Sequence, residues 1–363
     1  MAINAWEKRK LASLVHFIGT GKSTFTLHPS KDKIFRFPVL GSTSIIGYDS
    51  SYDVEGKMIL TARVGANAGN LYIYSGKAKI TDNTVFLVTD TPSFLKALLD
   101  HFDLKKIKFG TGQPLIKASE LKRLKLFVPC DPTELDSIQD CVLNINNLIA
   151  ATQGKLDQLE MVKKALLQHL FDQSMRFKGY SDPWEKRKLG DLGQVAMNKR
   201  IYKDQTSSTG DVPFYKIGTF GKEADSFISR ELFEKYKKMY PFPEAGDILI
   251  SASGSIGRKL VYDGEDAYFQ DSNIIWIKHD ERLANSFLNQ FLSIVHWNGT
   301  EGTTIKRLYN KNVLTTKINI PSRKEQDTIG SCLTIFDNLI AATQSKLSGL
   351  ESLKKALLQG LFI

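Results

Sequence analysis

Trp6-Glu-Lys-Arg-Lys-Leu11 returns as Trp184-Glu-Lys-Arg-Lys-Leu189, and Asn147-Leu-Ile-Ala-Ala-Thr-Gln153 returns as Asn338-Leu-Ile-Ala-Ala-Thr-Gln344. Lys163-Lys-Ala-Leu-Leu-Gln168 likewise returns as Lys354-Lys-Ala-Leu-Leu-Gln359. The first pair is displaced by 178 positions and the other two by 191. A long-period repeat of this kind marks a duplicated architecture. The chain is two half-repeats, and the second copy holds about 13 more residues between its boundary motifs (191 minus 178).

Between the boundary motifs, residues 12–132 and 190–322 share only faint echoes. Gly56-Lys-Met-Ile-Leu-Thr-Ala62 echoes Gly246-Asp-Ile-Leu-Ile-Ser-Ala252, and Asp82-Asn-Thr-Val-Phe-Leu-Val88 echoes Asp271-Ser-Asn-Ile-Ile-Trp-Ile277. Short apolar, β-branched runs bounded by Gly and Asp clusters predict strands. Helix-like stretches near 93–102 and 283–296 complete two small mixed α/β (α+β) domains. Each block closes on a Gly/Thr-rich turn, 110–114 or 302–306, before a short strand that ends at Pro129 or Pro321.

After each proline a helix begins. Thr133-x-x-Asp136 is a near match to a capping box and Ser322-x-x-Glu325 a full one. Seam residues then step by three and four through Leu135, Ile138, Val142, Ile145, Ile149, Thr152, Leu156 and Leu159, with Lys163 interrupting. The second copy runs through Ile329, Leu333, Phe336, Ile340, Thr343, Leu347 and Leu350, interrupted at Lys354. A period of 3.5 over about five heptads is a coiled-coil seam. About 38 residues at 1.5 Å each make a rod of roughly 55–60 Å. Two such helices in one chain most simply pair with each other, antiparallel, with Thr152 and Thr343 at matching seam positions. The predicted divisions are a first domain over 1–132, a long helix over 133–176, a second domain over 177–322 and a second long helix over 323–363, related by a pseudo-twofold repeat.

Of 363 residues, 42% are hydrophobic and 24% charged, the composition of a globular protein. The N-terminus lacks an apolar secretory segment, and no run approaches the roughly 20 apolar residues that span a bilayer. Three cysteines, Cys130, Cys141 and Cys332, have no metal spacing and fit buried thiols in a reducing cytoplasm. The net charge is +10, of which residues 1–132 hold +8, 133–176 −2, 177–322 +3 and 323–363 +1. The basic excess lies in the two dissimilar blocks, which fits a polyanionic partner as well as a merely basic surface.

Catalytic readings fail on content. Gly19-Thr-Gly-Lys22-Ser23 imitates a phosphate-binding loop, but the motif needs glycine five residues before Gly21, where His16 stands. Asp182-Pro-Trp184 is one proline short of the Asn/Asp-Pro-Pro-aromatic signature of amino-methyltransferases, and no glycine-rich S-adenosylmethionine loop precedes a long α/β run. The six histidines form no metal spacing, and neither a nucleophile–base pair nor clustered catalytic carboxylates are found.

The duplicated order of Trp-Glu-x-Arg-Lys-Leu lead, variable domain, strand ending at proline, and long helix with Ile-Ala-x-x-Gln-x-Lys-Leu and Lys-Lys-x-Leu-Leu-Gln-x-Leu-Phe resembles the specificity subunit of type I restriction–modification systems. The resemblance spans the whole chain. It implies that each variable block is a target-recognition domain reading one half of a split site in double-stranded DNA. It implies that the paired helices set the spacing and dock two methyltransferase subunits, which restriction-translocase subunits join. The chain itself would be non-catalytic and hold neither cofactor nor metal. S-adenosylmethionine, ATP and magnesium would belong to its partners, in the cytoplasm and away from any membrane. The alternative class is a self-contained DNA-binding regulator or DNA adenine methylase. The first lacks a visible helix-turn-helix here and the second its cofactor motifs.

With that resemblance, Ser251, Ser253, Ser255, Arg258 and Lys259 form the foremost DNA-contact candidate. Small residues admit phosphate to backbone amides, and arginine pairs bidentately with guanine. A plain β-turn with solvated bases is the competing reading. The matching stretch in the first block holds Arg63 and Asn67. Gln270, Asp271 and Asn273, with Asp82 and Asn83 in the first block, either meet base edges or cap strands. Thr111, Gln113 and Lys117, together with Lys306, Arg307 and Tyr309, are further candidates, as are Lys199 and Arg200. Lys8–Lys10 and Lys186–Lys188 recur before both blocks and so fit a shared task better than sequence reading. Trp6 and Trp184 are expected to anchor packing.

Overall fold

A computed structural model describes residues 6–22, 24–107, 115–297 and 307–362. It divides into two compact units, residues 1–155 with 343–363, and residues 156–342. The two long helices, Pro132–Phe171 and Arg323–Leu361, are continuous, and each unit takes one part of each.

In the first unit six strands form one sheet in the order Phe17–Thr20, Thr84–Val88, Val54–Ala62, Leu71–Ile80, Phe37–Leu40, Ile45–Asp49. In the second, a four-stranded sheet runs Gly193–Ala196, Ile274–His279, Ile248–Ser251, Lys259–Val261, beside a three-stranded sheet built on Val212–Tyr215. The faint sequence echoes are the centres of these sheets. Thr61 lies opposite Val85 in the first unit, and Ile250 opposite Ile275 in the second. Strands buried on both faces read as continuous apolar runs, and that explains why Met58–Leu60 and Ile248–Ile250 kept a common signature.

The repeated lead has a simple structural task. Trp6–Lys10 pairs antiparallel with Lys125–Pro129, and Glu185–Lys188 pairs antiparallel with Lys317–Ile320. Each ribbon joins the two ends of its own recognition block. The tryptophan at the head of each ribbon is a packing anchor. Trp6 meets Phe362 edge-on at 6.1 Å, and Trp184 meets Phe171 at 6.2 Å. Phe362 and Phe171 close the two copies of Leu-Leu-Gln-x-Leu-Phe, so each block is sealed by the end of a long helix.

Within the first unit Ile138 and Val142 share a core with Leu358, Leu361 and Phe362. Within the second, Leu167 and Leu170 share one with Ile329 and Leu333. The start of one helix lies with the end of the other in each unit, the order that antiparallel neighbours require. Among the seam residues Ile138, Val142, Ile145, Leu156, Ile329, Leu333 and Leu347 are buried, and Ile149, Leu159, Phe336, Ile340 and Leu350 half-buried. Lys163 interrupts the apolar pattern because it forms an ion pair with Asp337, which also accepts from Gln290 Nε2 at 2.7 Å.

Two expectations need correction. The first long helix is capped by Asp131, not Thr133. The Asp131 carboxylate accepts the Thr133 N–H at 2.9 Å and its hydroxyl at 2.7 Å, with Pro132 in the first turn. The Thr133 hydroxyl, then its N–H, hold the Asp131 carboxyl below the usual carboxylate range. In the second helix Ser322 does cap, accepting the Glu325 N–H at 3.4 Å. Glu325 is buried and taken in a two-pronged pair by Arg176, at 3.0 and 2.7 Å. The cysteines are not buried thiols either: Cys130 and Cys141 are exposed and Cys332 half-buried.

Short helices Pro92–Phe102 and Asn285–Phe291 sit on the long ones by a shared device. Gln139 accepts the Phe94 N–H at 2.8 Å, and Gln326 accepts the Ala284 N–H at 2.9 Å. Each glutamine satisfies a donor that the first turn leaves unpaired. At Gly330 a Cβ would stand 2.2 Å from Ser286 Oγ, so glycine there permits the close approach.

Candidate nucleic-acid interface

Three segments meet at one end of each sheet. In the first unit the strand Val54–Ala62 runs into Arg63, whose N–H donates to Asn83 O at 2.8 Å, while Arg63 O accepts from Ile116 N at 2.8 Å. Val64 bridges Leu115 antiparallel. In the second unit Ala252 N–H donates to Asn273 O at 2.7 Å, Ala252 O accepts from Leu308 N at 2.8 Å, and Ser253 bridges Arg307. The backbone junction is the same in both. Asn83 and Asn273 hold the same place and are the same residue, while the other two segments differ in side chain: Arg63 against Ala252, Val64 against Ser253, Leu115 against Arg307, and Lys117 against Tyr309.

On the first junction Arg63, Asn67, Asn83 and Lys117 are all exposed. Gly65 and Gly69 take φ of 88° and 90°, and the Gly69 N–H donates to the buried Thr61 hydroxyl at 3.0 Å. The left-handed glycines let the loop turn back over the strand end. Thr111 and Gln113 lie outside the described residues, as does Lys306.

The second junction sorts its candidates differently. Ser251 is fully buried, donating to Ser255 O at 2.6 Å and accepting the Arg258 N–H at 2.8 Å. Its hydroxyl shapes the loop and offers nothing outward. Arg258 turns inward, donating to Ile217 O at 2.8 Å and Phe220 O at 3.3 Å, with its guanidinium over the Phe220 ring. Lys259 reaches the short helix instead of the surface, donating to Asn289 O, to Asn289 Oδ1 at 2.6 Å and to Ser293 Oγ at 2.7 Å. Burial, then the neighbouring Lys163 charge, push the Lys259 ammonium down to about 8. Gln270 accepts the Ile217 N–H at 2.9 Å and is likewise framework. The expectation that this glycine–serine turn presents its two bases outward is overturned. The backbone needs the donors of Arg258 and Lys259 to satisfy buried carbonyls.

The hub of the junction is the turn Asp271-Ser272-Asn273. Ser272 takes a φ of 60°, rare for a residue with a side chain. Asn273 Oδ1 accepts from Ser253 Oγ at 2.7 Å, Ser272 O from Arg307 at 2.9 Å, and Asp271 Oδ2 from Arg200 Nε at 3.0 Å. Ser255, Lys199, Arg200 and Tyr309 remain exposed around it. Lys199 lies over the Tyr240 ring at 5.0 Å, and Tyr202, missed in the sequence, is 59% exposed. An Asp-Ser-Asn turn before a strand was the signal available for the hub. Nothing in the sequence announced which arginine it would hold.

A sequence model of the family described as type I restriction modification DNA specificity domain matches residues 4–161 and 181–352. The chain belongs to that family. A Haemophilus influenzae relative named as a type I restriction enzyme specificity subunit is 40% identical over 311 residues, covering 83% of this chain and 80% of the relative. The MjaVIII specificity subunit of Methanocaldococcus jannaschii is 24% identical, covering 81% and 75%. The fold is similar to that of the type I restriction–modification S subunit from M. genitalium, with a TM-score of 0.75 and 16% identity over 100% of this chain and 97% of that one. The two matched segments each contain one recognition block and most of the helix that follows it. Within this family the chain is a DNA-recognition subunit. No helix among the described residues is long and apolar enough to cross a membrane.

Proposed function

We propose that each of the two junctions reads one half of a split site in double-stranded DNA, and that the chain is the non-catalytic member of its complex. The observation that carries this reading is one backbone junction, built twice with the same hydrogen bonds and, Asn83 and Asn273 apart, furnished with different side chains. A shared scaffold positions; unlike side chains specify. A binder of one palindromic site would keep the same side chains in both copies. Arg63, Asn67, Asn83 and Lys117 serve one half, and Lys199, Arg200, Ser253, Ser255, Asn273, Arg307 and Tyr309 the other. The +8 excess of residues 1–132 supplies salt-dependent attraction to phosphate.

The long helices set the number of unread base pairs and dock two methyltransferase subunits. The repeat itself supports a pair of equivalent docking surfaces. Leu148 and Leu339 stand at equivalent positions and are both exposed, as are Val162 and Leu353. Exposed leucine and valine recurring in both copies of a helix fit two copies of one apolar partner surface. Adenine methylation with S-adenosylmethionine, and ATP- and magnesium-dependent translocation and cleavage, belong to the partner chains. The test is methylation of a plasmid library by this chain, its methyltransferase, or both, followed by insertion of one helical repeat within residues 147–153. Both chains together are expected to methylate a split motif, and the insertion to change its spacing while keeping both halves. Methylation by this chain alone, or an unchanged spacing, would contradict the respective part.

A further inference from the structure

The second junction contains several cationic side chains, and their hydrogen bonds separate them. Arg258 has both terminal amino groups on backbone carbonyls, and Arg307 donates to Ser272 O. Lys259 is turned to the short helix. Arg200 is different. Its Nε donates to Asp271 Oδ2 at 3.0 Å, and among the described residues its two terminal amino groups have no protein partner. The Arg200 side chain is 59% exposed and that of Asp271 only 14%. A shielded carboxylate thus holds an arginine by its inner nitrogen and leaves the outer fork toward solvent.

Asp271 is itself fixed. It opens the hub turn, accepts the Ser272 hydroxyl at 3.1 Å, and lends its carbonyl to Asn273 N at 2.6 Å. The neighbouring turn residues bind the other two segments of the junction through Ser253 and Arg307. Any change in direction of Arg200 would therefore be resisted by the whole junction. A planar donor fork aimed outward from a rigid support is what bidentate recognition of guanine O6 and N7 needs, and lysine has no equivalent geometry.

We propose that Arg200 reads a guanine in the half-site of the second recognition block, with Asp271 as its positioning residue. The inference rests on the DNA-recognition reading above and adds one base class and one residue pair to it. The first junction has no counterpart pair: Arg63 is exposed at the strand end and no carboxylate in the described residues holds it.

The experiment is methylation of a randomised-site plasmid library by the methyltransferase with wild-type chain, Arg200→Ala, Arg200→Lys or Asp271→Asn. Arg200→Ala is expected to lower selectivity for guanine at one position of one half-site by roughly 10- to 100-fold. The other half and the spacing should stay unchanged. Arg200→Lys does not restore the preference, and Asp271→Asn weakens it at the same position while retaining guanine as the favoured base. A uniform fall at all positions, or a motif unchanged by Arg200→Ala, overturns the proposal, since a phosphate contact or a fold defect has no preferred base. If the wild-type pair yields no split motif, the underlying reading fails and this proposal with it.

Discussion

Phe362 near the end of the chain is 3% exposed and meets three aromatic rings of the first unit: Trp6 at 6.1 Å, Phe94 at 5.9 Å and His101 at 5.6 Å. It also packs in the core that holds Ile138 and Val142. Phe362→Ala removes a fully enclosed ring whose neighbours come from a ribbon, a short helix and the long helix, none of which can collapse into the gap alone. Such truncations cost about 3–5 kcal/mol. At about 1.4 kcal/mol per tenfold, amides protected by that packing should exchange with deuterium roughly 100- to 4,000-fold faster. The assay is hydrogen exchange of the full chain, comparing peptides over 6–10, 92–102 and 132–142 with peptides over 248–251 and 274–279. Acceleration should be confined to the first set. Phe171→Ala, at the equivalent position, should loosen the second unit, though less, because Phe171 is only half-buried. Equal exchange in wild type and Phe362→Ala would refute the idea that each recognition block is sealed by the end of a long helix.

Other consequences follow from single groups. Lys259 has its ammonium pushed down to about 8 in the fold against an ordinary value near 10.4, so between those pH values the unfolded chain binds more protons. The wild-type second unit should therefore gain stability relative to Lys259→Met as pH rises from 8 toward 10, as read by urea titration at each pH. Parallel curves would contradict it. Ser251→Ala removes a buried hydroxyl that joins both arms of its loop and should cost about 1–3 kcal/mol in the same titration, without altering the methylated sequence. A changed motif would return Ser251 to the DNA surface. Leu148→Glu and Leu339→Glu should each abolish binding of one methyltransferase copy, seen as a drop in complex mass by native mass spectrometry. Retention of both copies would remove those positions from the docking surface.

Much of this architecture was written in the repeats. The lead and the Phe that closes each helix recur because they do the same work twice: they form the ribbon and seal it. The sheet centres left weaker echoes because burial on both faces constrains only apolarity and β-branching. The junctions left almost none. Their common feature is a set of backbone hydrogen bonds, to which side-chain identity is indifferent, so Arg63 and Ala252 hold the same place. Residue types mislead at the candidate site for a related reason. Ser251, Arg258 and Lys259 have the residue types of a phosphate-binding loop, but the tight turn between Gly254 and Gly257, at φ of 63° and 83°, directs them inward. Sequence lists donors without saying where they point. Asp131 shows the same limit at the helix start, where the aspartate before proline caps and the Thr-x-x-Asp pattern beside it does not.

On the proposed reading the two recognition blocks are separate readers on a common frame. The most direct test replaces residues 190–322 with the corresponding block of another family member and sequences the methylated bases of cells that carry the hybrid and the methyltransferase. Separate readers give a split motif in which one half is new, while the other half and the spacing are retained. A motif that changes in both halves, or one that does not change, would contradict it.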